Sequence, residues 1–383
     1  MGKVILLTNI LAPYRVPIFN ILGDMLKKEN IEFKVMFMAE SESNRQWRIY
    51  RDDLKVDFKV LPGIHYFIRG YDFPIHLNPT IWHELRREAP DIIISGGYSY
   101  LSNWIALFYS KIYRKRLILW TSTTPECIRG RDILRSNLRK LFIKECNAFI
   151  TYGKRAAIYL SQLGVDPKSI FIGCNVGDVA FFKNLVSEYR RYELKKLNNS
   201  SNELLTLLFV GQLIPRKGIL HLLHALAELK STKWRLLIVG DGPLKKKIIS
   251  LAHKFGIDNQ IKLLGFKQKE ELVKLYAVAD IFVLPSLIEP YAIVVSEALA
   301  SGLFVVCSKY DGAAYDLIQP GYNGLIIDPF DVQMLKSALA EAINIVSSPQ
   351  FSREQISFSI KDFTPERYAR AFLEAIKYVI NKN

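Results

Sequence analysis

Short runs of apolar, largely β-branched residues recur along the chain with helical patterns between them, and they restrict the fold more than any other feature. In the first half they read VILLT (4–8), FKVMFM (33–38), DIIIS (91–95), RLILW (116–120) and AFITY (148–152). These runs lack the polar alternation of a strand with one wet face, so each predicts a strand buried on both sides in a parallel sheet between helical layers. From 182 to 203 the sequence turns charged and then reads LNNSSNE, the composition of a surface helix and a loop, which we read as a linker. Beyond it the alternation restarts with LLTLLFVG (204–211), RLLIVG (235–240), IKLLGF (261–266), IFVLP (281–285), FVVCS (304–308) and LIID (325–328). The expected class is α/β, with two doubly wound sheets in tandem over 1–181 and 201–363. A last helix over 364–383 starts at Thr364 and Pro365, an N-cap and first-turn pair, and is expected to pack back on the first domain. A chain of 383 residues, 50% hydrophobic and 12% aromatic, can fill two such cores.

The formal charge of +15 calls for an anionic partner: nucleotide phosphates, a phospholipid surface or nucleic acid. Cys127, Cys146, Cys174 and Cys307 are scattered without a CxxC pair or a histidine cluster, which points to reduced thiols in the cytosol rather than a zinc site or disulfides. The opening MGKVILLTNILAPYRVP is interrupted by Asn9 and has no small-residue cleavage site, so it reads as a first strand rather than a leader. Leu6 stands where a myristoylation signal has Ser or Thr. No apolar run approaches the roughly 18 residues that cross a bilayer. The expectation is a cytoplasmic chain, free or peripheral at the inner face of the cell membrane.

Two glutamates in LPSLIEPYAIVVSEALASG (284–302) have a telling spacing. IFVLP ends a strand, Pro290 suits a first helical turn and Gly302 a helix stop, which puts Glu289 at the mouth of a helix. Glu297 follows eight residues later, about 12 Å away at 1.5 Å rise per residue. A glycosidase pair stands roughly 5 to 9.5 Å apart. The wider gap suits the two ends of an elongated ligand with a diphosphate at the positive helix terminus, the shape of a nucleotide sugar. Two solvated glutamates on an amphipathic helix fit the spacing equally.

Ligands of such sheets bind beyond the carboxyl ends of the strands, and three loops of the first half stand out there. Residues 9–17 carry Pro13, Tyr14, Arg15 and Pro17; Arg15 can reach an anion or cap the next helix. Ser95-Gly96-Gly97-Tyr98 allows a close ligand approach or a tight packing turn. Trp120-Thr121-Ser122-Thr123-Thr124-Pro125-Glu126 offers hydroxyls and a carboxylate, or simply a turn.

From 111 to 144 the charge is sharply basic: Lys111, Arg114, Lys115, Arg116, Arg129, Arg131, Arg135, Arg139, Lys140 and Lys144. A helix over 132–145 sets Ile133, Leu134, Leu138, Leu141 and Phe142 against Arg135, Arg139 and Lys140. Such a helix can lie on an anionic leaflet, each cation contributing on the order of 1 kcal/mol, although a basic run is more often a solvated face. No nucleic-acid-binding signature accompanies the charge, so nucleic acid is not an expected partner.

Four pieces of the second half, in order, resemble the retaining glycosyltransferases of family 4. They are GQLIPRKG (211–218), VGDGP (239–243), LGF (264–266) and the pair Glu289 and Glu297. The resemblance is strong over about 205–340 and weaker over the first domain. It implies a GT-B fold, two Rossmann-like domains facing across a cleft, the first taking the acceptor and the second the nucleotide sugar. It also implies that Lys217 contacts the donor phosphates. Two adjacent cations, Arg216 and Lys217, suit the charge of a departing nucleoside diphosphate. The family usually has arginine where this chain has Gln212, so the resemblance does not carry over that arginine's phosphate contact, and whether Arg216 replaces it is open at this point. Gly211, Gln212, Asp241 and Gly242 would line the donor, and Phe266 would meet the base with its main chain or serve as a core residue. Glu289 would touch the donor sugar near the reacting centre, with Tyr291, Ala292 and Ile293 following it, and Glu297 would bind the ribose hydroxyls. Asp311-Gly312-Ala313-Ala314-Tyr315-Asp316 and Asn323-Gly324 read as structural.

Many members carry a histidine near the reacting sugar where this chain has Trp120-Thr121-Ser122, so no general base is named. Acceptor-side candidates are Pro13, Tyr14, Arg15, Gly97, Tyr98 and Thr121. With no Asp-x-Asp motif, neither metal nor cofactor is expected. The implied activity is transfer of a sugar to a hydroxyl of a glycan or lipid-linked glycan in cell-surface polysaccharide synthesis. The alternatives are a GT-B sugar-nucleotide epimerase and a noncatalytic subunit that binds a nucleotide sugar or a membrane surface.

Overall fold

The computed structural model describes residues 2–68, 73–127, 133–196, 204–229 and 234–382. It divides into two compact units, 1–175 with 365–383, and 176–364. The first unit contains β1 (Gly2–Ile10), α1 (Val16–Lys28), β2 (Ile31–Ala39), β3 (Asp57–Val60), β4 (Ile64–Ile68), β5 (Phe73–Leu77), α2 (Ile81–Glu88) and β6 (Ile92–Ser95). It continues with α3 (Leu101–Ile112), β7 (Arg116–Thr121), α4 (Ile133–Lys144), β8 (Ala148–Thr151), α5 (Lys154–Gln162) and β9 (Ile170–Ile172). Seven strands form one parallel sheet ordered β3-β2-β1-β6-β7-β8-β9, and β4 and β5 form a separate antiparallel hairpin.

The second unit runs through α6 (Val179–Lys196), β10 (Leu205–Val210), α7 (Ile219–Ala227), β11 (Trp234–Val239), α8 (Lys245–Lys254), β12 (Ile261–Gly265), α9 (Lys269–Val278) and β13 (Ile281–Leu284). It ends with α10 (Ile293–Ala300), β14 (Phe304–Ser308), α11 (Ala314–Leu317), β15 (Gly324–Ile327), α12 (Val332–Ser347) and α13 (Arg353–Phe358), after which α14 (Pro365–Asn381) belongs to the first unit. Its sheet is ordered β12-β11-β10-β13-β14-β15, all parallel. Every apolar run named above lies on a strand of one of the two sheets.

In the first unit α1 and α14 cover one face of the sheet with Phe19, Tyr368 and Phe372 around Trp120, whose Nε1 donates to the Tyr368 hydroxyl at 2.7 Å. A Cβ on Gly173 would stand 2.0 Å from the Tyr368 ring, so that position admits only glycine. Helices α2, α3, α4 and α5 supply the other face, through Leu85, Leu107, Phe142 and Leu160.

The segment read as a linker is corrected by the structure. Its first part is α6, which packs within the second unit: Phe182 meets the Tyr276 ring at 5.3 Å, and Arg190 donates to the carbonyls of Tyr276, Ala277 and Ser301 at 2.9, 2.7 and 2.7 Å. The division therefore falls at 175/176 rather than 181. Its charges misled because one of them, Arg190, is spent on buried backbone oxygens rather than on solvent.

Candidate active site

Open parallel sheets bind ligands where the strand order reverses. In the second unit that point lies between β10 and β13. The loop leaving β10 is tied to the loop after β11 by Gly211 N to Val239 O (3.0 Å) and Leu213 N to Asp241 O (2.9 Å). It then makes one 3-10 turn, Pro215–Lys217, closed by Gly218 at φ 69°. A Cβ on Gly218 would lie 1.8 Å from the Pro285 carbonyl oxygen, and one on Gly240 (φ 132°) would lie 1.9 Å from that of Gly211. These two glycines let the loops after β10, β11 and β13 touch backbone to backbone.

The contact places Leu287 N on Arg216 O at 2.7 Å, and Glu289 follows two residues later. Glu289 is buried. One of its oxygens, Oε2, accepts a short hydrogen bond from Lys217 Nζ and a second from Arg216 Nη1 at 3.3 Å. Two cations therefore converge on one carboxylate oxygen, which leaves the trio with a net positive charge.

Asp311, read above as structural, stands beside them. It is fully buried, and its Oδ1 accepts from Ala292 N at 3.0 Å and Ala313 N at 2.9 Å, fastening the Glu289–Ala292 segment to the loop after β14. Burial, and secondarily the charge of Glu289, push its carboxyl up to about 7. Its sequence signal, an Asp-Gly pair just past a buried strand, is that of any turn.

The helix after Glu289 begins later than Pro290 suggested. Residues 289–292 are not helical, α10 starts at Ile293, and Gly302 at φ 74° does end it. The two glutamates are thus not joined by continuous helix, and helical rise does not set their separation. Glu297 belongs to its own hydrogen-bonded group: Oε2 accepts from the Tyr276 hydroxyl at 3.0 Å, and its neighbour Ser296 accepts Gly177 N at 3.1 Å. A Cβ on Gly177 would come within 3.2 Å of Glu297 Oε1. Burial pushes the Glu297 carboxyl up to about 7.

The structure therefore gathers Gly211, Gln212, Arg216, Lys217, Asp241, Gly242 and Glu289 at one strand-end cluster, with Tyr291, Ala292 and Ile293 leading from it into α10. Asp241 is exposed and its carboxylate accepts its neighbour Gly242 N at 2.9 Å. Phe266 is 36% exposed, which sets aside its reading as a core residue, and it adjoins the cluster through Gly240 N to Gly265 O at 2.9 Å.

In the first unit the order reverses between β1 and β6, and the candidates of those loops are near neighbours. Pro13–Arg15 form a 3-10 turn. Arg15 is buried rather than a surface cap: Nη1 donates to Thr8 Oγ1 (2.9 Å) and Asn9 Oδ1 (3.1 Å), Nη2 to the Tyr152 hydroxyl (3.0 Å), and the guanidinium lies 4.8 Å from the Trp120 ring centre. Gly97 takes φ 112°, and a Cβ on Gly96 would lie 2.8 Å from Leu7 O, so this turn is tight for packing. The Tyr98 hydroxyl and Thr121 Oγ1 each lie 3.1 Å from Thr123 Oγ1.

One group escaped the sequence. His65 and His76 face each other across the hairpin with Nδ1 atoms 3.1 Å apart, His76 Nε2 lies 3.4 Å from Glu42 Oε1, and that oxygen accepts Asn9 Nδ2 at 2.9 Å. Burial opposes ionisation of Glu42, yet hydrogen bonds from His76 and Asn9 and the charge of Arg45 hold its carboxyl below the ordinary value. Only the β4–β5 register, which sets His65 opposite His76, reveals the contact.

The family model described as glycosyl transferases group 1 matches residues 191–361. An uncharacterized glycosyltransferase of Methanocaldococcus jannaschii is 33% identical over 164 residues, 43% of this chain and 41% of that one. A putative colanic acid biosynthesis glycosyltransferase of Salmonella typhimurium is 29% identical over 145 residues, 36% of each chain. The chain thus spans less than half the length of the first curated relatives it matches. Among solved structures, Anabaena HepE in complex with UDP-glucose superposes with a TM-score of 0.70 at 18% identity, over 98% of this chain and 100% of that one. The two parallel α/β units thus have the GT-B architecture of these solved structures, and over residues 191–361 the chain is similar to the glycosyl transferases group 1.

Proposed function

We propose that the protein is a retaining glycosyltransferase of family 4 that moves a sugar from a nucleoside diphosphate sugar to a hydroxyl of a glycan or lipid-linked glycan in cell-surface polysaccharide synthesis. The observation that carries this reading is the convergence of Lys217 and Arg216 on one oxygen of buried Glu289 where the second sheet reverses its order. As the bond from the sugar to the diphosphate breaks, negative charge gathers on the leaving phosphate. Lys217 and Arg216 turn from Glu289 to that charge in place of a divalent cation, and Glu289 is released to a hydroxyl of the donor sugar. The acceptor hydroxyl attacks the same face and the departing phosphate oxygen takes its proton, which retains the anomeric configuration. Glu297 accepts the ribose hydroxyls, Phe266 lies beside the base, and Gly211, Gln212, Asp241, Gly242 and Tyr291 to Ile293 line the donor.

The acceptor lies with the first unit's Pro13, Tyr14, Arg15, Gly97, Tyr98 and Thr121. Support for the donor class comes from the UDP-glucose bound by HepE, and for a glycan acceptor from the colanic acid relative. We place the reaction in the cytoplasm at the inner face of the membrane; among the described residues no helix is long and apolar enough to cross one.

The test is a ligand-detected NMR screen of UDP-, GDP- and ADP-sugars, followed by transfer assays with and without EDTA. Lys217→Ala is expected to cost at least about a hundredfold in turnover. Undiminished transfer by Lys217→Ala or Glu289→Gln would refute the assigned roles, and loss of transfer in EDTA would refute the metal-independent step.

A further inference from the structure

The outer face of the first unit carries an apolar stripe that its own core does not use. Helices α3, α4 and α5 lie side by side: the Trp104 and Phe142 rings are 5.2 Å apart, Lys111 pairs with Glu145, and Arg139 lies 5.9 Å from the Tyr159 ring centre. On α3, Leu101, Phe108 and Ile112 are spaced by seven and four residues, which at 3.6 residues per turn puts them within about 40° of one another along about 16 Å of helix. They are 56%, 57% and 64% exposed, and Leu138 and Leu141 on α4 add 43% and 50%.

Lys111, Arg114, Lys140 and Lys144, on the same two helices and the turn after α3, are exposed as well, and the carboxylate of Glu145 at the end of α4 is paired with Lys111. This is not the helix face that periodicity predicted. Arg139 and Phe142 are buried, the side chains of 133–135 and all of 128–132 lie outside the described residues, and most of the apolar surface comes from α3.

A contiguous apolar patch of this kind marks an interaction surface. The cations select the partner: a second copy joined through this face would oppose like charges, whereas lipid phosphates neutralise them while the apolar side chains enter the headgroup and acyl boundary. We propose that the α3–α4 face docks on an anionic bilayer, with Leu101, Phe108, Ile112, Leu138 and Leu141 inserted and Lys111, Arg114, Lys140 and Lys144 on the phosphates. The surface is separate from the donor site, so vesicle binding and sugar-nucleotide binding can fail independently.

The experiment is sedimentation of the full chain with vesicles of phosphatidylcholine alone or with phosphatidylglycerol, at low and high salt, with UDP-glucose binding and circular dichroism as controls. Wild type is expected to sediment with anionic vesicles only, and less at high salt. Phe108→Ser/Ile112→Ser should weaken binding at least about tenfold, and Lys140→Glu/Lys144→Glu should remove the preference for anionic lipid, both with unchanged dichroism. Equal binding to neutral vesicles, or both variants binding as wild type, overturns the proposal. So does a wild type that ignores vesicles and sediments alone as a dimer that Phe108→Ser dissociates.

Discussion

Replacing Glu297 by glutamine should make the ligand-free protein more stable and its hold on the donor weaker, and both effects should grow as pH rises. Burial raises the Glu297 carboxyl from 4.5 to about 7. Between those values the folded chain binds a proton that the unfolded chain has lost, so stability contributed by this group is full below 4.5 and is lost as pH rises through 7. The rise of about 2.5 units corresponds to about 3 kcal/mol of destabilisation well above neutrality. Glutamine keeps the size of the side chain and an oxygen for the Tyr276 hydroxyl, but it carries no charge to bury. In urea denaturation at pH 5 and 8.5, the variant's advantage should grow with pH toward that figure. Asp311 titrates over a similar range in both proteins and cancels in the comparison.

Donor binding tests the same group from the other side. Ribose hydroxyls donate to the ionised carboxylate, so affinity for UDP-glucose, whose diphosphate does not titrate near neutrality, should fall about tenfold for each pH unit below 7. Glu297→Gln should bind more weakly and without that slope. A stability gap independent of pH, or a wild-type affinity that is flat from pH 5.5 to 8, would refute the reasoning.

Three further outcomes are expected. Gly218→Ala puts a Cβ 1.8 Å from Pro285 O at a positive φ, so it should separate the loops after β10 and β13; calorimetry should find UDP-glucose binding lost and urea denaturation a loss of more than about 2 kcal/mol. Arg190→Met leaves the carbonyls of Tyr276, Ala277 and Ser301 without their guanidinium donor and should cost about 3 kcal/mol, read by the same denaturation. Phe372→Ala opens a cavity beside Trp120 and should cost about 3 to 5 kcal/mol, with a shift in tryptophan fluorescence as the readout.

The elements of the fold were legible because their signal is local. A strand such as IFVLP is buried on both faces whatever its neighbours, and the alternation with helices leaves parallel sheets as the solution. The hairpin was less so: His65 and His76 sit in two short strands, IHYFI and FPIHL, and only the pairing of those strands brings the two rings together. The charged second half of α6 misled because an arginine spent on carbonyl oxygens, as Arg190 is, and a solvated one look alike in one dimension.

For the candidate site, the residue types were written in the chain but their relations were not. The cations of GQLIPRKG and the two glutamates with seven residues between them could be picked out by chemistry and resemblance alone. That Lys217 and Arg216 share one oxygen of Glu289 follows from the order β11-β10-β13-β14, which brings loops some seventy residues apart together through glycines that allow backbone contact. Asp311 and Glu297 became weaker acids only once packing removed their water. Hydrophobic periodicity acts between near neighbours and so survives in the sequence, whereas convergence of side chains and the desolvation of a charge depend on segments that meet only when the sheet has closed.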